Sequence, residues 1–174
     1  VIRIAGLDLS TERTGLALPD GRTISITSKH GAHDPAARLH EIGSKIRLRL
    51  AAGRPQLVVL EGYSLGGRQG ATAAVIAELG GVVRLQLYEL NVPYIAVPPK
   101  SLKAWGAGTG NATKAQMLER AQLLGSPAQN HDEADAWLLR AAGIAWYHRH
   151  PGLPPLITSL KGLPWPTLYD QEVA

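Results

Sequence analysis

The chain has 174 residues, enough for one domain with a well-buried core but not for a second full domain. Apolar residues make up 45% and charged residues 18%, which excludes a disordered polypeptide, while 19 Gly and 12 Pro foretell many turns or a loose tail. Lys and Arg outnumber Asp and Glu by 18 to 14, for a formal charge of +4; that suits anionic partners such as nucleic acid, and equally an ordinary basic protein. With no cysteine, disulfides and thiolate metal sites are excluded. No run reaches about 18 uninterrupted apolar residues, and the first nine residues carry Arg3 and Asp8 without a small-residue cleavage site, so a soluble intracellular protein with no membrane partner is expected. Because the chain begins at Val1, a few residues are expected to precede it.

Residues 1–9 place Ile2, Ile4, Leu7 and Leu9 around Arg3 and Asp8, a strand pattern that ends on a carboxylate. Residues 13–18 predict a second strand, Pro19-Asp20-Gly21 a turn and residues 22–28 a third strand, together an antiparallel meander. Asp34 before Pro35 starts a helix whose apolar positions are Leu39, Ile42, Ile46 and Leu50, and Gly53 stops it. Residues 56–60 form a continuous apolar run suited to a strand buried on both faces and parallel to the first, ending at Glu61.

After glycine-rich residues 62–70, residues 71–90 predict a helix with a wide apolar stripe. Its Val75, Ile76, Leu79, Val82, Val83, Leu85 and Leu87 are enough for two surfaces, or for one fully buried helix. Residues 92–97 give a fifth strand stopped by Pro98-Pro99. Residues 100–105 and the glycine turn of Gly106, Gly108 and Gly110 follow, then helices over about 113–124 and 130–147. Five prolines between residues 148 and 174 predict an extended tail, docked or disordered. The expected division is therefore a domain over residues 1–147 and a Pro-rich tail over 148–174, and the fold class is α/β, a mixed five-stranded sheet flanked by helices.

Four acids fall where strands end or a helix begins. Asp8 and Glu61 meet if the first and fourth strands pair, while Asp132 and Asp135, three apart on a helix, share one face. Taken singly each acid has an ordinary account: Asp8 beside a turn, Glu61 at a strand end, Asp132 as a helix cap, Asp135 as a first-turn acid favoured by the helix dipole. Together they would repel one another unless cations bind. Hard oxygen ligands suit Mg²⁺ or Mn²⁺, and two such ions about 3.5–4 Å apart serve phosphodiester hydrolysis without a nucleophilic side chain.

Lys103 and Lys114 flank the glycine turn and are placed to hold phosphates if it folds over the acids; solvated surface lysines are the plain alternative. Arg13, Arg68 and Lys100 are further candidate phosphate contacts, for each of which surface charge is the competing account. Trp105, Trp137 and Trp146 are read as core residues, with a DNA-facing platform the alternative for Trp105.

The segment Ala5-Gly6-Leu7-Asp8-Leu9-Ser10 with Thr14-Gly15, then Val58-Val59-Leu60-Glu61, and last Asp132-Glu133-Ala134-Asp135-Ala136, resemble in order the motifs of RuvC-type Holliday junction resolvases. Lys103 and Lys114 resemble the family's two lysines eleven residues apart, so the likeness covers about residues 1–145. It implies an RNase H-like fold and a metal-dependent crossover junction endonuclease of DNA recombination and repair. It also implies Mg²⁺ as cofactor, with Mn²⁺ substituting and two ions per site, and a homodimer acting on four-way junctions and other branched DNA in the cytoplasm of a bacterial or phage-infected cell. By the same resemblance Asp8, Glu61, Asp132 and Asp135 are the metal-binding catalytic acids, and Lys103 and Lys114 are needed for activity. Relatives can carry His where Asp132 stands; its neighbour His131 is open between the site and a capping or surface role. The family places a junction-probing aromatic shortly after the second acid, where Tyr63 is the nearest candidate and Ser64 and Leu65 depart from the pattern; packing of Tyr63 against the next helix is the competing account. The interface implied for the dimer is residues 71–90, whose Ala73, Ala74, Ala77, Gly80 and Gly81 permit close approach.

Two rivals remain at this point. Asp8 with Thr14-Gly15 also suits an actin-like-fold phosphotransferase, although such enzymes need two related halves and a second phosphate loop. The other is a non-catalytic branched-DNA-binding module, which would have no need of four acids.

Overall fold

The computed structural model describes residues 2–62, 71–148 and 150–168. Five strands, β1 (Ile4–Asp8), β2 (Thr14–Ala17), β3 (Thr23–Ile26), β4 (Leu57–Glu61) and β5 (Tyr94–Val97), form one sheet in the order β3-β2-β1-β4-β5. β1, β2 and β3 pair antiparallel as the predicted meander, and β1–β4 and β4–β5 pair parallel. Parallel neighbours need long crossovers. Helix α1 (Pro35–Gly53) lies between β3 and β4, and α2 (Ala71–Glu89) between β4 and β5. The mixed sheet flanked by helices is the expected one.

Alternation along the strands sorts the core into two layers. Ala5, Leu7, Leu16, Val58 and Leu60 pack on one face with Ile42, Ile46 and Leu50 of α1 and Leu79, Val83 and Leu87 of α2. Ile4, Leu57, Val59, Ile95 and Val97 pack on the other face. They meet helices α3 (Pro99–Ala107), α4 (Lys114–Leu123) and α5 (His131–His148), through Leu102 and Trp105, Met117 and Ala121, and Trp137, Leu138 and Leu139. Each large aliphatic side chain so buried contributes about 1.5–3 kcal/mol against the entropy of ordering the chain.

The caps explain where the helices begin and end. Asp34 accepts a hydrogen bond from Ala37 N at 3.2 Å, as predicted, and α1 ends at Gly53. The left-handed position falls one residue later, on Arg54 (φ 46°), whose N–H donates to Leu50 O at 2.8 Å. Thr113 and Gln116 form a reciprocal capping box at α4. Asn130 caps α5 by accepting from Glu133 N at 3.1 Å, so Asp132 is left free of capping duty. Helix α3 departs from the sequence expectation. Pro98-Pro99, read as a strand stop, also opens a helix, because a proline at the first helical position lacks only an N–H that has no partner there.

Beyond α5 the chain packs back on the α5 side of the core. Leu156, and Leu160 in the one-turn α6 (Thr158–Lys161), are buried. Trp105 Nε1 donates to Pro154 O at 3.3 Å and Tyr147 Oη to Pro166 O. Trp105 and Trp137 are core residues as expected. Trp146 is not: it is 38% exposed and stacks on Trp165, ring centroids 5.3 Å apart, because its position near the end of α5 lies at the core's edge. No helix of the described residues is long and apolar enough to cross a membrane.

Candidate active site

Asp8 is the last residue of β1 and Glu61 the last of β4. The parallel register pairs Leu7 with Leu60, so the next residues, Asp8 and Glu61, emerge side by side at the strand ends. Both follow the alternation of Ile4 and Gly6, and of Leu57 and Val59, toward the face that α5 covers.

Two glycines bring α5 down onto that face. A methyl group at Gly6 would sit 2.0 Å from Ala136 O, and one at Gly15 would sit 1.9 Å from Asp132 O. Only residues without a side chain allow such an approach. Thr14, fully buried, closes the preceding turn: its Oγ1 donates to Ser10 O at 2.6 Å and accepts from Ser10 N at 3.1 Å. The Thr14-Gly15 pair thus ties the β1–β2 turn and makes room for the start of α5.

Asp132 and Asp135 are thereby lowered toward Asp8. Burial, then the charge of Glu61 and a hydrogen bond shared with it, then Asp135 and Asp132, push the Asp8 carboxyl well above its ordinary range. Two carboxyl groups share a hydrogen bond only when one keeps a proton. Burial likewise raises Asp135, assisted by Glu61 and Asp132 and opposed by Lys103 and Lys114, to about 7. The two lysines therefore lie close enough to act on the acid cluster, although they come from α3 and the start of α4. Asp135 Oδ1 is buried with no hydrogen-bond partner.

Asp132 has different company. Its Oδ2 accepts from Arg13 Nε at 2.8 Å, and His131 Nδ1 lies 2.8 Å from its Oδ1. Glu133, between the two aspartates, turns away from the cluster. Burial opposes its charge, but hydrogen bonds from Ser25, the Gln129 N–H, Thr23 and Asn130 outweigh that and hold its carboxyl below the ordinary range. Glu133 thus ties α5 to β3.

Among the described residues no three carboxylates or imidazoles stand in a ready-made ion cage. The four acids form instead a looser, mutually repelling cluster, relieved in part by Arg13, Lys103 and Lys114. That state suits divalent cations, since an ion would offset the repulsion among the carboxyl groups and satisfy the orphaned oxygen of Asp135.

No protein-family profile matches the chain. It is 30% identical over 149 residues to the crossover junction endodeoxyribonuclease RuvC of Rhodococcus opacus, covering 79% of this chain and 78% of that one. The chain belongs to the RuvC family. The RuvC of Prochlorococcus marinus strain MIT 9303 is 27% identical over 158 residues, 85% of this chain and 100% of the relative. The structure of Thermus thermophilus RuvC in complex with a Holliday junction substrate superimposes with a TM-score of 0.67 at 21% identity, covering 90% of this chain and all of that one, and so shares the RNase H-like fold.

The structure brings together Asp8, Glu61, Asp132, Asp135, Lys103 and Lys114 among the residues singled out for a RuvC-type site. Arg13 joins them through Asp132, a pairing that no sequence pattern announced because the two residues are 119 apart in the chain. Lys100, in the first turn of α3, is exposed. Tyr63 and Arg68 lie outside the described residues.

Proposed function

We propose that this protein is a metal-dependent endonuclease that binds Holliday junctions and other branched DNA and resolves them by paired nicks through phosphodiester hydrolysis. The observation that carries this is the convergence of Asp8, Glu61, Asp135 and Asp132 from β1, β4 and α5, with Lys103 and Lys114 acting on Asp135, in a chain of the RuvC family. Residues 1–147 are the nuclease unit in this reading and 148–174 an appended tail. Its place of work is the cytoplasm of a bacterial or phage-infected cell.

Asp8, Glu61, Asp132 and Asp135 would hold the cations, two Mg²⁺ ions with Mn²⁺ able to substitute, as suits an all-carboxylate donor set. When bound, such ions lower the barrier to water attack and stabilise charge on the departing oxygen. The chain's own residues do the rest. Buried Asp8 and half-buried Glu61 fix the floor of the site, and α5, seated on Gly6 and Gly15, sets the height of Asp132 and Asp135 above it. Lys103 and Lys114 hold the phosphates of the strand to be cut, with Arg13 and Lys100 contacting the backbone beside it.

A junction has two-fold symmetry, so two such sites in a two-fold dimer would nick opposed strands. Helix α2 is the proposed interface: Leu85 and Tyr88 are 59% and 80% exposed, and the space beyond Gly81 is open. Sedimentation that shows only monomer at micromolar concentration would remove the dimer.

Purified protein, incubated with a labelled four-way junction, a linear duplex or a replication fork in Mg²⁺, Mn²⁺ or EDTA, tests the activity on a gel. Paired symmetric nicks on the junction, absent in EDTA, are expected. No metal-dependent cutting of any substrate would overturn the proposal.

A further inference from the structure

Asp132 and Asp135 sit one turn apart on α5, yet they stand in opposite states. Asp135 has a buried oxygen with no partner, whereas both oxygens of Asp132 are engaged, one by Arg13 and one by the His131 ring. An ion arriving at the cluster thus finds Asp135 open and Asp132 already neutralised.

The Arg13 backbone is tied into the turn while its side chain reaches outward. The β1–β2 turn is stapled by Thr14 on Ser10, by Ser10 Oγ accepting from the N–H groups of Glu12 and Arg13, and by Arg38, whose Nε donates to Thr11 O at 3.0 Å. The guanidinium reaches Asp132 from this fixed base with 46% of its side chain exposed, against 12% for the aspartate. A pair open to water on the arginine side is weak and exchangeable. It competes poorly with a row of DNA phosphates, and arginine is well shaped to grip those.

We propose that Arg13 is a stand-in cation on Asp132 that DNA draws away, so that ion binding at Asp132 and DNA binding favour each other. Arg13 is then a positioning residue acting through Asp132. By linkage the coupling is reciprocal: whatever DNA does for ion affinity, the ion does for DNA affinity. The inference rests on Asp132 being an ion ligand, as proposed above.

The test is calorimetric titration of Mn²⁺ into DNA-free wild type, Arg13→Ala, Asp132→Asn and the double variant, with Arg13→Gln as a second replacement that keeps the stem and circular dichroism to verify folding. Arg13→Ala is expected to bind Mn²⁺ about two- to five-fold more tightly than wild type, the range set by an exposed ion pair. That gain should vanish in the Asp132→Asn background. Equal or weaker binding, or a gain that persists without Asp132, overturns the inference while leaving the ion site in place. Wild type that takes up no Mn²⁺ up to millimolar concentration overturns the ion site and the inference with it. Junction affinity measured by anisotropy should tighten for wild type on replacing EDTA with Ca²⁺, and tighten less for Arg13→Ala; equal tightening contradicts the exchange.

Discussion

Gly15 of β2 lies directly beneath Asp132, with 1.9 Å between the place a methyl group would take and the Asp132 carbonyl oxygen. That approach, repeated at Gly6 beneath Ala136, lets a helix rest on the sheet and deliver two carboxylates above a third. The obstructing atoms are backbone and cannot swing aside, so Gly15→Ala must lift or tilt the start of α5. The expected cost is about 1–3 kcal/mol or more, as for other overpacked sites. Urea denaturation checks it, and a midpoint equal to wild type would show that the close approach is not needed.

Asp135 predicts a pH dependence in the absence of metal. Its folded-state pKa of about 7 lies above the ordinary 3.8, so between those values the folded chain keeps a proton that the unfolded chain has released. Its contribution to stability is therefore fully present below about pH 4 and is lost as pH rises through about 7. Asp135→Asn, which cannot ionise, should match wild type near pH 4 and exceed it at pH 8 in EDTA by on the order of 1–3 kcal/mol. Thermal melts across that range would show the gap opening; a gap constant with pH would contradict the buried, crowded carboxyl.

Glu133 is an acid of the same motif with a structural task. Glu133→Ala strands Ser25, Thr23 and the Gln129 N–H, which now donate to it. A loss of about 1–3 kcal/mol is expected for leaving such groups unpaired. Glu133→Gln, which keeps part of the network, should lose less; equal loss in both would assign the effect to packing.

Trp165 tests the segment after α5. It stacks on Trp146, meets Tyr147 edge-on and donates from Nε1 to Leu160 O at 2.8 Å. Trp165→Ala should cost about 1–3 kcal/mol and expose residues 150–168 to limited proteolysis. Unchanged stability and digestion would mean that this packing contributes nothing.

The strands and long helices were legible because alternation and the 3.6-residue period report burial directly. Asp8 and Glu61 could be placed side by side as soon as the first and fourth strands were taken to pair. Helix α3 was not legible, because Pro98-Pro99 signals an end and a beginning with the same residues. Trp146 misled because an aromatic on an apolar helix looks the same whether it meets the sheet or Trp165 nineteen residues on. The role of Gly6 and Gly15 as a seat for α5, and the pairing of Arg13 with Asp132, are contacts between distant parts of the chain that no local pattern encodes.

The most direct test of the account is Asp8→Asn, which removes one ionisable carboxyl from the centre of the cluster while keeping its size and a partner for Glu61. With a labelled four-way junction in Mg²⁺, cleavage should fall by more than about 100-fold, beyond what losing an outer partner of a metal ligand costs, while junction affinity measured in EDTA stays within a few-fold of wild type. Cleavage at the wild-type rate would place the chemistry elsewhere and contradict the account.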